Sequence, residues 1–137
     1  LELVCPDNKL GRADIFVVSH HGLAQSNSPA LVHALEPKVA IMDNGSKKGA
    51  DPAAWDVIKS SPGLLDFWQL HFADAGGGEH NAADPFIANV TEADTGYYLK
   101  VTGNEDGSFE IYNPRNKFTK KYPAVGALGM PATVQPR

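Results

Sequence analysis

Apolar residues come in short unbroken blocks through the first half of the chain and in alternating runs further on. Ile15-Phe16-Val17-Val18 and Val39-Ala40-Ile41-Met42 contain no polar member. Such blocks suit strands covered on both faces, as in a parallel sheet flanked by helices. Phe67-Trp68-Gln69-Leu70-His71-Phe72 predicts a third strand. Two helices separate the three. Ser28 caps the first, Pro29 takes its first position, and Ala30, Leu31, Ala34 and Leu35 form its apolar stripe before Glu36-Pro37 ends it. Asp51-Pro52 opens the second in the same way. Trp55, Val57 and Ile58 supply its buried side, and Ser60-Ser61-Pro62-Gly63 closes it. The order is β-α-β-α-β. Short links and right-handed crossovers make the three strands parallel neighbours.

Beyond residue 72 the character changes. Gly76-Gly77-Gly78 followed by Glu79-His80 predicts a mobile loop, without the Lys-Ser/Thr ending of a phosphate loop. Pro85 to Val90 predicts a helical turn, and Asn89-Val90-Thr91 fits a glycosylation sequon. Gly96 to Thr102 alternates as a half-exposed strand, Asn104 to Gly107 turns, and Ser108 to Tyr112 returns. This antiparallel hairpin is expected at the edge of the sheet. From Phe118 the chain is rich in Pro, Gly and Ala and predicts little regular structure. Residues 1–122 therefore read as one unit, with 123–137 an irregular tail.

With 137 residues, 42% of them hydrophobic, the chain is long enough for one domain with a real core. A formal charge of -4 argues against a nucleic-acid surface that works by bulk positive charge. The single cysteine, Cys5, excludes an internal disulfide and reads as a small buried hydrophobe. No apolar run reaches the length of a membrane span. The chain starts mid-element, at Leu1-Glu2-Leu3-Val4 and without Met, so it reads as a fragment.

Candidate chemistry sits where the first strand ends. Ser19-His20-His21-Gly22 follows the apolar block directly. In open α/β sheets ligands gather at the carboxyl ends of the strands. Imidazole is a common zinc ligand and titrates near neutrality, and a neighbouring glycine permits a sharp turn and close backbone approach. Asp43 ends the second strand and is placed to reach the same site, or else caps the Asn44-Gly45 turn. Lys47 and Lys48 read as solvated, with a phosphate contact as the alternative, and His33, His71 and His80 read as structural or solvated.

Taken in order, these features are a strand, Ser-His-His-Gly, a loop with Ser26 and Ser28, a helix ending in Glu36-Pro37-Lys38, and the run from Val39 to Gly45. Over roughly residues 10 to 72 this order resembles the C-terminal half of a metallo-β-lactamase-fold hydrolase. The subgroup it is similar to includes the hydrolase domain of bacterial competence DNA-uptake proteins. The resemblance implies half of an αββα sandwich and, in the complete protein, two metal ions, usually zinc. A metal-activated water would attack an ester, phosphoester or amide. It assigns metal ligation to His21 and a substrate contact or proton donation to His20; a ligand imidazole also needs an acceptor on its other nitrogen, for which Asp43 is a candidate. The chain departs from the pattern in lacking His-x-His-x-Asp-His and the upstream Gly-Asp. It also has Gly49-Ala50-Asp51-Pro52 where the subgroup often has Gly-His-Pro. A catalytic zinc needs about three protein ligands, so the fragment alone is expected to bind no metal tightly and to be inactive. The implied partners are the missing N-terminal half and, because a half-sandwich leaves an apolar face open, a second copy in a homodimer. No membrane partner is expected. The substrate of the parent stays open between β-lactam, phosphodiester and phosphocholine ester. The alternative is a non-catalytic α/β binding or assembly module in which the histidines only cap a strand.

Overall fold

In the computed structural model, which describes residues 2–92 and 96–124, the apolar blocks form a parallel sheet. Its strands are β1 (Ile15–Val17), β2 (Val39–Met42), β3 (Asp66–His71) and β4 (Ile87–Asn89), in spatial order β1-β2-β3-β4. All neighbours run parallel, with Phe16 beside Ala40 and Ala40 beside Phe67. Helices α1 (Pro29–Leu35) and α2 (Pro52–Lys59) make the first two crossovers, and the link from β3 to β4 has only short turns. The Ser28 side chain accepts a hydrogen bond from the Leu31 amide, as its capping position requires.

Both helices lie on one face of the sheet. Phe16, Val18, Ala40, Met42 and Phe67 from the strand side meet Val32, Trp55 and Ile58 from the helices. Burying one such side chain contributes about 1.5–3 kcal/mol. The Trp55 and Phe67 rings lie 4.3 Å apart. In α1 the fully buried residue is Val32, not one of the four predicted stripe positions, which are only half-buried.

The opposite face is covered by a separate antiparallel sheet. Its strands are β5 (Lys100–Gly103), β6 (Phe109–Asn113) and β7 (Phe118–Tyr122), in that order. Phe109, Ile111 and Tyr122 pack on Val39 and Trp68. The Trp68 indole donates to the Tyr122 hydroxyl at 2.9 Å, which ties the two sheets together. Beside this bond Lys120 Nζ lies 2.8 Å from Asp66 Oδ1 and 2.7 Å from Oδ2. Oδ2 is buried and has no well-directed hydrogen bond, so the ammonium is what neutralises it.

Four expectations are corrected. The hairpin is not an edge of the parallel sheet but two strands of a second sheet packed across it. Phe118 to Tyr122 is a strand, where little regular structure was expected. Its alternation is disguised because Lys120 takes an inward position between Phe118 and Tyr122. The predicted helical turn at 85–90 is a turn at Asp84–Phe86 followed by β4. Finally, the block at the edge strand β1 is not covered on both faces, since Val17 is 60% exposed.

Cys5 is exposed rather than buried. It lies on a surface approach fastened by Asn8, whose amide donates to the Ala34 carbonyl. The proposed irregular tail lies outside the described residues except for Pro123 and Ala124. Among the described residues no helix is long and apolar enough to cross a membrane.

Candidate functional site

Strand β1 delivers its chain to the carboxyl rim of the sheet, and there the backbone reverses hand. His20, His21 and Gly22 have φ of 50°, 57° and 86°. For the two histidines this left-handed geometry costs about 1–2 kcal/mol each, so surrounding contacts must hold it. The contacts come from the loop after β2. The Ala50 amide donates to the His21 carbonyl at 2.8 Å, and the Asp51 amide donates to the Gly22 carbonyl at 2.9 Å. The Asp51 carboxylate accepts from the Ala24 amide at 2.9 Å. Gly49 makes the approach feasible: a Cβ there would sit 2.0 Å from the His21 carbonyl oxygen.

Two buried asparagines brace the same rim. The Asn27 amide donates to the Ser19 and Leu23 carbonyls, and its oxygen accepts from the Ser19 amide. The Asn44 amide donates to the His71 carbonyl at 2.8 Å and to the Gly45 carbonyl at 3.0 Å. The ends of β1, β2 and β3 are thus tied by side chains whose own polar groups are satisfied.

The His21 ring is held by the end of β2. Its Nδ1 lies 3.0 Å from the Asp43 main-chain carbonyl and 3.4 Å from Asp43 Oδ2. A carbonyl has no proton to give, so Nδ1 carries the hydrogen and the neutral ring keeps its lone pair on Nε2. A metal-ligating histidine needs this arrangement, with one nitrogen fixed by an acceptor and the other free to coordinate. The ring is half-buried. His20 is exposed, with Nδ1 3.3 Å from Ser26 Oγ, and the two rings are 6.2 Å apart.

The structure brings together His20, His21 and Asp43. It does not add the other histidines to them. His33 Nε2 lies 3.2 Å from both the Val57 carbonyl and Ser60 Oγ, joining α1 to α2. His80 lies 3.4 Å from Asp56 on α2, and the stretch expected to be mobile is latched there by Asn81, which donates to the Ala73 and Gly77 carbonyls. His71 ends β3, two strands away from β1. Lys47 pairs with Glu92 at 2.9 Å on the surface. Asn89 of the sequon is buried, donating to the Leu70 and Tyr97 carbonyls and accepting from the Tyr97 amide, so it is a structural latch and unfit as a glycan acceptor.

Among the described residues no group of three or more His, Cys, Asp or Glu side chains is placed to hold a metal ion. His21 fits a metal as a single ligand, and the residues present do not complete a site around it. Gly49, Asp51, Asn27, Asn44 and Ser26 all shape the rim, and none of them stood out as a functional residue in the sequence. Asp51 carried the nearest signal, an acid before Pro52, but it pointed to a helix cap. The side chain leaves its own helix uncapped and goes to Ala24 instead.

The fold and rim define an α/β chain with a histidine pair at the carboxyl edge of a parallel sheet. No family model, curated protein or solved structure matches the chain.

Proposed function

We propose that this chain is the C-terminal half of a metal-dependent hydrolase of the metallo-β-lactamase type. Its parent hydrolyses an ester, phosphoester or amide with metal-activated water. The observation that carries this is the His21 ring, set at the sheet's carboxyl rim with Nδ1 committed to Asp43 and Nε2 left as the coordinating atom. Zinc, when bound, would lower the pKa of its water towards neutrality and polarise the scissile bond. His21 is the ligand this half contributes. His20, exposed and oriented by Ser26, is the substrate contact or proton donor. Asp43 supports His21 from behind. The complementary half of the domain supplies the remaining ligands, so the chain alone binds zinc weakly and hydrolyses nothing.

The test uses two preparations. Titration calorimetry with zinc on this chain is expected to show no tight site. The parent protein, assayed with bis(p-nitrophenyl) phosphate and with a chromogenic β-lactam, is expected to lose activity on chelation and to fall by at least about 100-fold in His21→Ala. A parent whose activity is indifferent to chelator and to His21→Ala would sink the proposal.

A second reading, a non-catalytic α/β binding or assembly module, is favoured by one observation. Both faces of the parallel sheet are largely covered by the chain's own elements, as an independently folded module requires. A parent inert towards every hydrolysable probe would favour it.

A further inference from the structure

We infer that Gly49, Ala50 and Asp51 form a clasp that sets the tautomer and aim of His21, with Asp51 and Gly49 as positioning residues. The inference rests on taking His21 as the ligand, and assigns it a second layer of support distinct from Asp43. Three backbone-level contacts converge on one turn. The Ala50 amide holds the His21 carbonyl, the Asp51 amide holds the Gly22 carbonyl, and the Asp51 carboxylate holds the Ala24 amide just beyond. They fall on His21, Gly22 and the residue just past the left-handed stretch, and Gly49 and Ala50 are left-handed as well, at 72° and 54°. Two non-glycine histidines do not adopt this hand consecutively without support. The support comes from the loop after β2, with Asp51 27 residues downstream of Ala24.

The consequence for chemistry is specific. The backbone hand at His21 sets the direction in which its side chain leaves, and in this direction Nδ1 reaches the Asp43 carbonyl at 3.0 Å. Loosening the clasp lets the turn relax to right-handed backbone and withdraws Nδ1 from its acceptor. Neutral imidazole in water then returns to its ordinary preference for the proton on Nε2, which takes the lone pair from the nitrogen assigned to coordinate here. The Asp51 side chain acts as an acceptor here, not as an acid, so an amide oxygen can replace it.

Long-range proton–nitrogen NMR of the histidine rings tests this on the chain itself at pH 8, where an ordinary imidazole is neutral. The unsubstituted protein is expected to show His21 with the proton on Nδ1. Asp51→Asn, which keeps an acceptor, should retain that form. Asp51→Ala should shift His21 towards the Nε2 proton form and speed exchange of the Ala24 amide roughly fivefold or more, the weight of one net hydrogen bond. A folded Asp51→Ala protein with His21 unchanged overturns the assignment. Should that variant not fold, the unsubstituted protein still decides. Ala50, Asp51 and Ala24 amides exchanging as fast as free loop amides would overturn it, and protection at all three supports it. The readout needs no metal, so failure of the zinc-dependent hydrolase leaves a positive tautomer result intact.

Discussion

At the scale of single residues, the fold is braced by buried amides. Asn27, Asn44, Gln69, Asn89 and Asn113 are all buried polar side chains in a chain whose charged groups stay at the surface or in pairs. An asparagine suits a strand end because one side chain both donates and accepts, and loose main-chain groups there need both. Asn44 offers the direct test. Asn44→Ala strips donors from the His71 and Gly45 carbonyls and is expected to cost about 1–3 kcal/mol, read as a lower urea midpoint with unchanged slope. No loss would mean that water replaces the amide there. Such residues are invisible in sequence as rim-builders. Asn44-Gly45 reads as a turn and Asn89-Val90-Thr91 as a sequon, because composition does not say which carbonyls will come near.

At the scale of elements, the join between the two sheets is the informative feature. Burial pushes the Tyr122 hydroxyl well above the usual phenol range, the Trp68 hydrogen bond partly opposes this, and the Asp66 carboxylate adds to it. The folded-state value is raised, so Tyr122 contributes stability fully present below the unfolded phenol's pKa of about 10 and lost as pH rises beyond it. Above that point the unfolded chain releases the proton first. Its contribution to the slope of stability against pH approaches about 1.4 kcal/mol per pH unit. Tyr122→Phe is expected to lose about 1–3 kcal/mol at neutral pH, because the Trp68 indole is left without its acceptor. Above pH ~10 it should fall less steeply than the parent chain. Denaturant unfolding at pH 8 and above pH ~10 gives both numbers; parallel slopes in the two proteins would refute the coupling.

The elements themselves were unequally legible. The apolar blocks announced β1, β2 and β3, and the cap-then-proline pairs announced α1 and α2, because these signals are local. Strand β4 was missed because three residues after a proline turn carry too little periodicity. Strand β7 was missed because Lys120 stands where an apolar residue would be expected, and only Asp66, more than fifty residues earlier, explains it.

At the scale of the whole molecule, the expectation of a bare apolar face gives way to a face largely covered by β5, β6 and β7. What stays open is a strip nearer the rim. Val17 is 60% exposed, and strand alternation puts half-buried Ile41 and Leu70 on the same side. The proposed homodimer now rests on this strip. Light scattering across a concentration series is expected to show self-association that Val17→Lys weakens, since a charge on an edge strand disfavours pairing. A compact monomer at the highest concentration would refute it.

By itself the sequence determined the local elements of the first half, their parallel order, and the arrival of two histidines where β1 ends. Each of these follows from periodicity, caps and glycine within a few residues. Only the tertiary structure decided that a second sheet would close the opposite face, and that the histidine pair would be left-handed and clasped from the loop after β2. It alone aimed the His21 nitrogen at a main-chain carbonyl. Those outcomes depend on contacts between segments far apart in the chain, and a carbonyl or an amide has the same letter wherever it folds.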